Sequence, residues 1–196
     1  MVSLRKYGWL FVTTLLLGGL GGVLVAFIFD LDKLLEGSAG NFFVGTLMYL
    51  LYGMTISIVA QMGFFAYMTI NYFAKTIFKT PSMWKSVQVF LILFVFFDMI
   101  YLRYTSLGEG KGIGTYFIEP ILLLIVALAT AYGKVKLTNR TAWIPTMFFM
   151  FVVTSLEWIP ALKEDNVHAT LSMLVPLLFC NVWQVMHLHR LVKRES

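Results

Sequence analysis

Four charged side chains interrupt otherwise apolar runs: Asp98 and Arg103 in FVFFDMIYLRYT, Glu119 in YFIEPILL and Glu157 in SLEWIP. Carboxylates and a guanidinium in such surroundings can pair, hold a cation or pass a proton. Each also has a plain structural account. Glu119 precedes Pro120, and proline belongs in a helix's first turn, where a carboxylate complements the dipole. Glu157 precedes Pro160 and so falls in a last turn, where its charge opposes the dipole. Arg103 can extend toward a polar boundary. Asp98, between Phe96–Phe97 and Met99–Ile100, has no such outlet. Tyr101 at i+3 could share a hydrogen bond with it, whereas Arg103, five residues on, points elsewhere.

No other group of residues suggests catalysis. The chain has no HExxH and no GxSxG, and no pair of ligands at metal spacing within an apolar run. Cys180 is the single cysteine and sits in an apolar stretch, as a small packing residue does. His187 and His189 in HLHR lack the i,i+4 spacing that would put two ligands on one helical face. GEGKGIG from Gly108 resembles a phosphate-cradling loop but lacks its strand and helix, and reads as a flexible turn. No cofactor and no metal is expected, and the chain is not expected to be an enzyme.

The elements that must position these residues follow from composition. Of 196 residues, 59% are hydrophobic and 13% charged, with mean hydropathy +0.81. Soluble domains carry about 25% charged residues, so hydrocarbon is the natural solvent. Spanning it takes about 20 apolar residues in a helix. Six such stretches stand out, at about 6–29, 41–65, 86–106, 114–133, 141–162 and 167–187. DLDKLLEGSAGN, KTIFKTPSMWK, GEGKGIG, KVKLTNR and KEDN separate them with charges and turn residues. The first run follows Arg5 and Lys6 as in a secretory signal, but it is too long for one and has no clear cleavage site, so it is expected to remain. The expected architecture is all-α, a single domain of six transmembrane helices.

Basic residues set the direction. Arg5, Lys6, Lys75, Lys79, Lys85, Lys134, Lys136, Arg140, Arg190, Lys193 and Arg194, eleven of the fifteen, fall on one side of the alternating spans. Lys33, Arg103, Lys111 and Lys163 fall on the other, with most of the acids. The positive-inside rule then places both termini in the cytoplasm. The net charge of +5 is accounted for in this way, without nucleic acid. The NRT sequon at Asn139 falls on the cytoplasmic side and carries no weight.

With this topology the four buried charges all lie in the outer half of the membrane, on three consecutive helices. Asp98, Glu119 and Glu157 are expected to surround Arg103 in a polar pocket open to the outside. Tyr101, Tyr104, Tyr116, Trp158 and His168 are expected on its rim. A static network that orients helices is the alternative. Two further surfaces suit packing or a partner. Gly18 and Gly22 in GGLGG have the small-xxx-small spacing that lets helices approach closely, inside one chain or across a homo-oligomer. The uncharged run from Asn41 to Ala74 would extend about 50 Å as a helix, longer than the hydrocarbon. It is therefore expected to bend near Gly63 and continue as an interfacial helix at 66–80, with Gln61, Phe64 and Phe65 near the headgroups and Lys75 and Lys79 in water.

The remaining classes are a small ion- or proton-coupled transporter and a regulator that contacts another membrane protein, since the loops are too short to house a signalling domain. Several stretches resemble one family: VAQMGFFAYMTINYF at 59–73, LFVTTLLLGGL near the N-terminus, VQVFLILFVFFDMIYLRY at 87–104, FFMFVVTSLEWIPAL at 148–162 and PLLFCNVWQV at 176–185. They are similar to the KinB-signalling-pathway activation proteins (KbaA) of spore-forming bacilli, over nearly the whole chain. The resemblance implies an integral protein of the bacterial plasma membrane that promotes activation of a sensor histidine kinase at the start of sporulation. It implies no catalytic residues.

Overall fold

The computed structural model describes residues 4–36, 38–107, 113–163 and 166–192. Glu109, Lys111, Glu164, Asp165, Lys193 and Arg194, and most of GEGKGIG, lie outside these residues. The described residues are helical almost throughout, and six helices are long and apolar enough to cross a membrane.

Helix α1 (Leu4–Phe29) ends at Asp30, which leaves helical geometry at φ −126° and ψ 18° before the short α2 (Leu31–Leu35). Ser38 starts α3 (Ala39–Ile77), its Oγ accepting from the backbone N–H of Asn41 at 3.4 Å. Helix α4 (Pro81–Leu107) opens on a proline, the residue whose missing N–H is no loss in a first turn. A 3₁₀ turn (Ile113–Phe117) leads into α5 (Ile118–Leu137). Asn139 caps the next 3₁₀ turn (Arg140–Ala142), accepting from the N–H of Thr141 at 3.0 Å. The chain then winds as α6 (Trp143–Phe148), a π-helical turn (Phe149–Val153) and α7 (Thr154–Leu162). Asn166 opens α8 (Val167–Val192), its Oδ1 accepting from the N–H of His168 at 2.9 Å.

Gly63 does not interrupt the helical hydrogen bonding of α3. Helix α3 spans 39 residues, so 66–77 belong to the same helical element as the residues before them. Glycine costs a helix about 1 kcal/mol relative to alanine, and packing around Gly63, described below, overrides that cost.

The helices group into two compact units. One comprises α1, α2, α3 up to Met62, and α8. Its α1 and α8 pack along their length. Gly18, Gly22 and Gly53 bring α1 against α3: a Cβ at Gly18 would lie 2.6 Å from the Gly53 carbonyl oxygen and 2.5 Å from Ser57 Cβ. A Cβ at Gly22 would meet the Tyr49 carbonyl and lie 3.0 Å from Gly53 Cα. The Gly18–Gly22 face is therefore filled inside the chain. Gly21 does the same for α8, where a Cβ would lie 2.8 Å from Pro176 Cα.

The other unit runs from Gly63 to Asp165. Its core is the π-helical turn, whose five residues are all buried, with Phe64, Tyr67 and Leu123. Phe149 meets Phe64 edge-on at 5.8 Å between centroids, and Tyr67 at 5.0 Å.

Candidate functional site

In the second unit Arg103 joins three helices. It is buried in the last turns of α4 and donates Nη2 to Glu119 Oε1 at 2.5 Å and Nη1 to the Leu162 carbonyl at 2.8 Å. The pairing follows from helix ends. Glu119 stands in the first turn of α5, where negative charge is favoured. Leu162 is the last residue of α7, whose carbonyl has no acceptor role within the helix. One guanidinium thus answers an acid at one helix's start and an orphan carbonyl at another's end.

Within the expected pocket, the fold brings Arg103 and Glu119 together. Asp98 is exposed, on the outward stripe of α4 with Phe94, Phe97 and Tyr101. The reason is helical period: five residues at 100° each put Asp98 about 140° around the axis from Arg103. Tyr101 is 67% exposed. Tyr104 is 37% exposed and meets buried Tyr116 edge-on at 6.0 Å. Glu157 and Trp158 are buried on α7, five and four residues before Leu162. Glu157 fills the space that a side chain at Gly63 would need. A Cβ there would lie 2.7 Å from Glu157 Cδ, and its contact with Oε1 would be closer still. This close approach is why glycine stands at 63.

The surface expected around QMGFFAY divides between core and exterior. Gln61 is buried and donates Nε2 to Ser57 Oγ at 3.2 Å. Phe64 is buried, while Phe65, Lys75 and Lys79 are exposed. Farther along α3, Tyr67 donates its hydroxyl to the Pro145 carbonyl at 3.2 Å and Asn71 accepts from Trp84 Nε1 at 2.8 Å. Tyr72, Phe73 and Ile77 remain exposed beside the two lysines.

The first unit holds a buried carboxylate that reading the sequence left among loop charges. Asp30 is 2% exposed. Its Oδ1 accepts from Lys33 Nζ at 2.6 Å and its Oδ2 from the Tyr49 hydroxyl at 2.8 Å, while His168 Nε2 lies against the same Oδ2. His168, expected on the Arg103 rim, is positioned here by the Asn166 cap and by Phe29, which it meets edge-on at 5.8 Å. The i,i+3 spacing of Asp30 and Lys33 was the available signal. The partners on α3 and α8 lie far along the chain and left none.

The Lys33 ammonium, with the Tyr49 hydroxyl and His168, outweighs burial and brings the Asp30 carboxyl down to about 2 from 3.8. A carboxyl lowered on folding adds stability above its unfolded pKa and loses it as pH falls. Its contribution is therefore present above about pH 4 and is lost as pH falls from about 4 to about 2. Thermal unfolding of the solubilised protein across that window should show the loss, and Asp30→Asn should flatten it. An equal fall in the variant would assign the effect to other groups.

Comparison with known proteins completes the picture. The family KbaA, described as KinB-signalling pathway activation in sporulation, matches residues 18–191. The KinB-signaling pathway activation protein of Bacillus subtilis (strain 168) is 38% identical over 151 residues, covering 76% of this chain and 76% of its own. No solved structure matches.

Proposed function

Because the chain belongs to the KbaA family, we propose that it is a multi-pass protein of the cell membrane that promotes activation of a membrane sensor kinase of the KinB type in sporulation. The family match is the observation that carries this reading. Six long apolar helices support the membrane location, as do the large hydrophobic side chains exposed along them. The alternation of basic residues supports cytoplasmic termini. The relative is named for activating a pathway rather than for a reaction.

Activation is read as contact within the membrane. The exposed far end of α3, with Phe65, Tyr72 and Phe73 beside Lys75 and Lys79, is the surface assigned to the kinase. Aromatic side chains anchor interfaces at low entropic cost, and the lysines suit the anionic inner leaflet. The Arg103 bridge fixes α4, α5 and α7 relative to one another and so acts as a positioning element. Photocrosslinkers at Phe65 and Tyr72 in sporulating cells should capture the transmembrane region of a sensor kinase. Adducts to lipid or to copies of this chain alone, in cells where the kinase is present and active, would contradict the assignment.

A further inference from the structure

Residues 62–97 and 120–156 carry six Lys or Arg and no Asp or Glu. In the second unit these stretches meet at a cavity of about 450 Å³, lined by Lys85, Val135, Arg140, Thr141, Trp143 and Ile144. The volume lies within the roughly 300–1,000 Å³ of small-molecule sites. Lys85 comes from the first turns of α4, Val135 from the last turn of α5, and the others from the capped turn that begins α6.

The cations near this cavity differ in how they are engaged. Lys136 lies over the Tyr132 ring at 4.4 Å, and Lys134 is buried within α5. Lys85 and Arg140 line the cavity, and among the described residues no carboxylate pairs with either. The Asn139 cap fixes the Thr141 backbone, and so the turn that carries Arg140. Apolar Val135 and Ile144 share the lining with Trp143, which is 36% exposed. Two cations that pair with no acid among the described residues call for an anion from outside the chain. Arginine's planar fork matches phosphate oxygens in pairs. The apolar wall calls for a hydrocarbon portion on the same ligand, and tryptophan is enriched at headgroup depth.

We propose that the cavity lined by Lys85, Arg140 and Trp143 binds the phosphate of an anionic phospholipid headgroup. This goes beyond the regulatory role and rests on the membrane reading given above. The cavity lies on the side assigned to the inner leaflet, where anionic lipid would hold the starts of α4 and α6 together.

The test uses the full-length chain in detergent micelles, titrated with acyl-brominated phosphatidylglycerol and with the same-chain phosphatidylcholine. Quenching specific to Trp143 is the difference between the wild type and Trp143→Phe. Phosphatidylglycerol should quench at concentrations at least tenfold lower. Lys85→Gln and Arg140→Gln should each reduce that preference about fivefold, in line with the effect of one cation at an anionic surface, and the double variant should abolish it. Lys85→Arg and Arg140→Lys should keep it, which separates loss of charge from loss of fold. Equal quenching by both lipids, or a preference that survives in the double variant, would overturn the site. Displacement of the lipid by millimolar inorganic phosphate would overturn the lipid assignment and leave a soluble phosphate as the ligand.

Discussion

Arg103→Ala is expected to lower stability by about 3–5 kcal/mol, the usual cost of removing one partner from a buried ion pair. The change leaves the Glu119 carboxylate, 20% exposed, without the cation that compensates its burial. It also removes the donor to the Leu162 carbonyl at the end of α7. Glu119 Oε2 is already buried without a hydrogen-bond partner among the described residues, so this acid depends on Oε1 and Arg103. In a chain of this size the thermal midpoint should fall by about 10 °C. Replacing both residues with leucine should recover most of the loss, because an apolar pair of similar volume removes both desolvation costs. A double-mutant cycle measured by thermal unfolding checks this. A coupling energy near zero would show that the two groups do not stabilise the fold through each other.

The second large effect belongs to Gly53. A Cβ there would fall on the Gly18 carbonyl oxygen and lie 2.9 Å from both the Gly18 carbonyl carbon and the Gly22 nitrogen. All three obstacles are backbone, so no rotamer change relieves them and α1 must move. Gly53→Ala should therefore cost at least the 1–3 kcal/mol typical of overpacking, and Gly53→Leu should prevent accumulation of folded protein. Gly8→Ala is the matched control. Nothing lies within 4 Å of its added methyl, and alanine's better helix propensity should leave stability equal or slightly higher. Protein level in cells and thermal unfolding of the purified chain report both. A Gly53→Ala protein as stable as the wild type would mean that α1 and α3 do not cross as closely as their glycines indicate.

What could be read without coordinates followed one-dimensional quantities. Apolar length and interruption located the six long helices, because a helix that stays in hydrocarbon must satisfy its own backbone. Arg103 and Glu119 were legible as partners because each helix's ends place them at matching depth. Depth does not give azimuth, and that is where Asp98 was misplaced: it lies on the same helix as Arg103 and faces the other way. Gly63 shows a related limit. A glycine in a long helix reads as weakness unless the side chain that needs its space is known, and Glu157 lies on another helix. The Asp30–Tyr49–His168 cluster depends on contacts among α1, α3 and α8, separated by up to 138 positions along the chain, which no local spacing encodes.

The buried wide turn at Phe149–Val153 has a rotational consequence. An i→i+5 turn accommodates one residue more than regular winding would. Each residue advances an α-helix by 100°. Wound without that surplus, Thr154–Leu162 would leave α6 about 100° out of phase. Glu157 would swing away from the notch at Gly63, and Trp158 would leave the core. The turn works as a phase shifter, converting a single supernumerary residue into the heading at which an acidic group and an indole enter the protein interior.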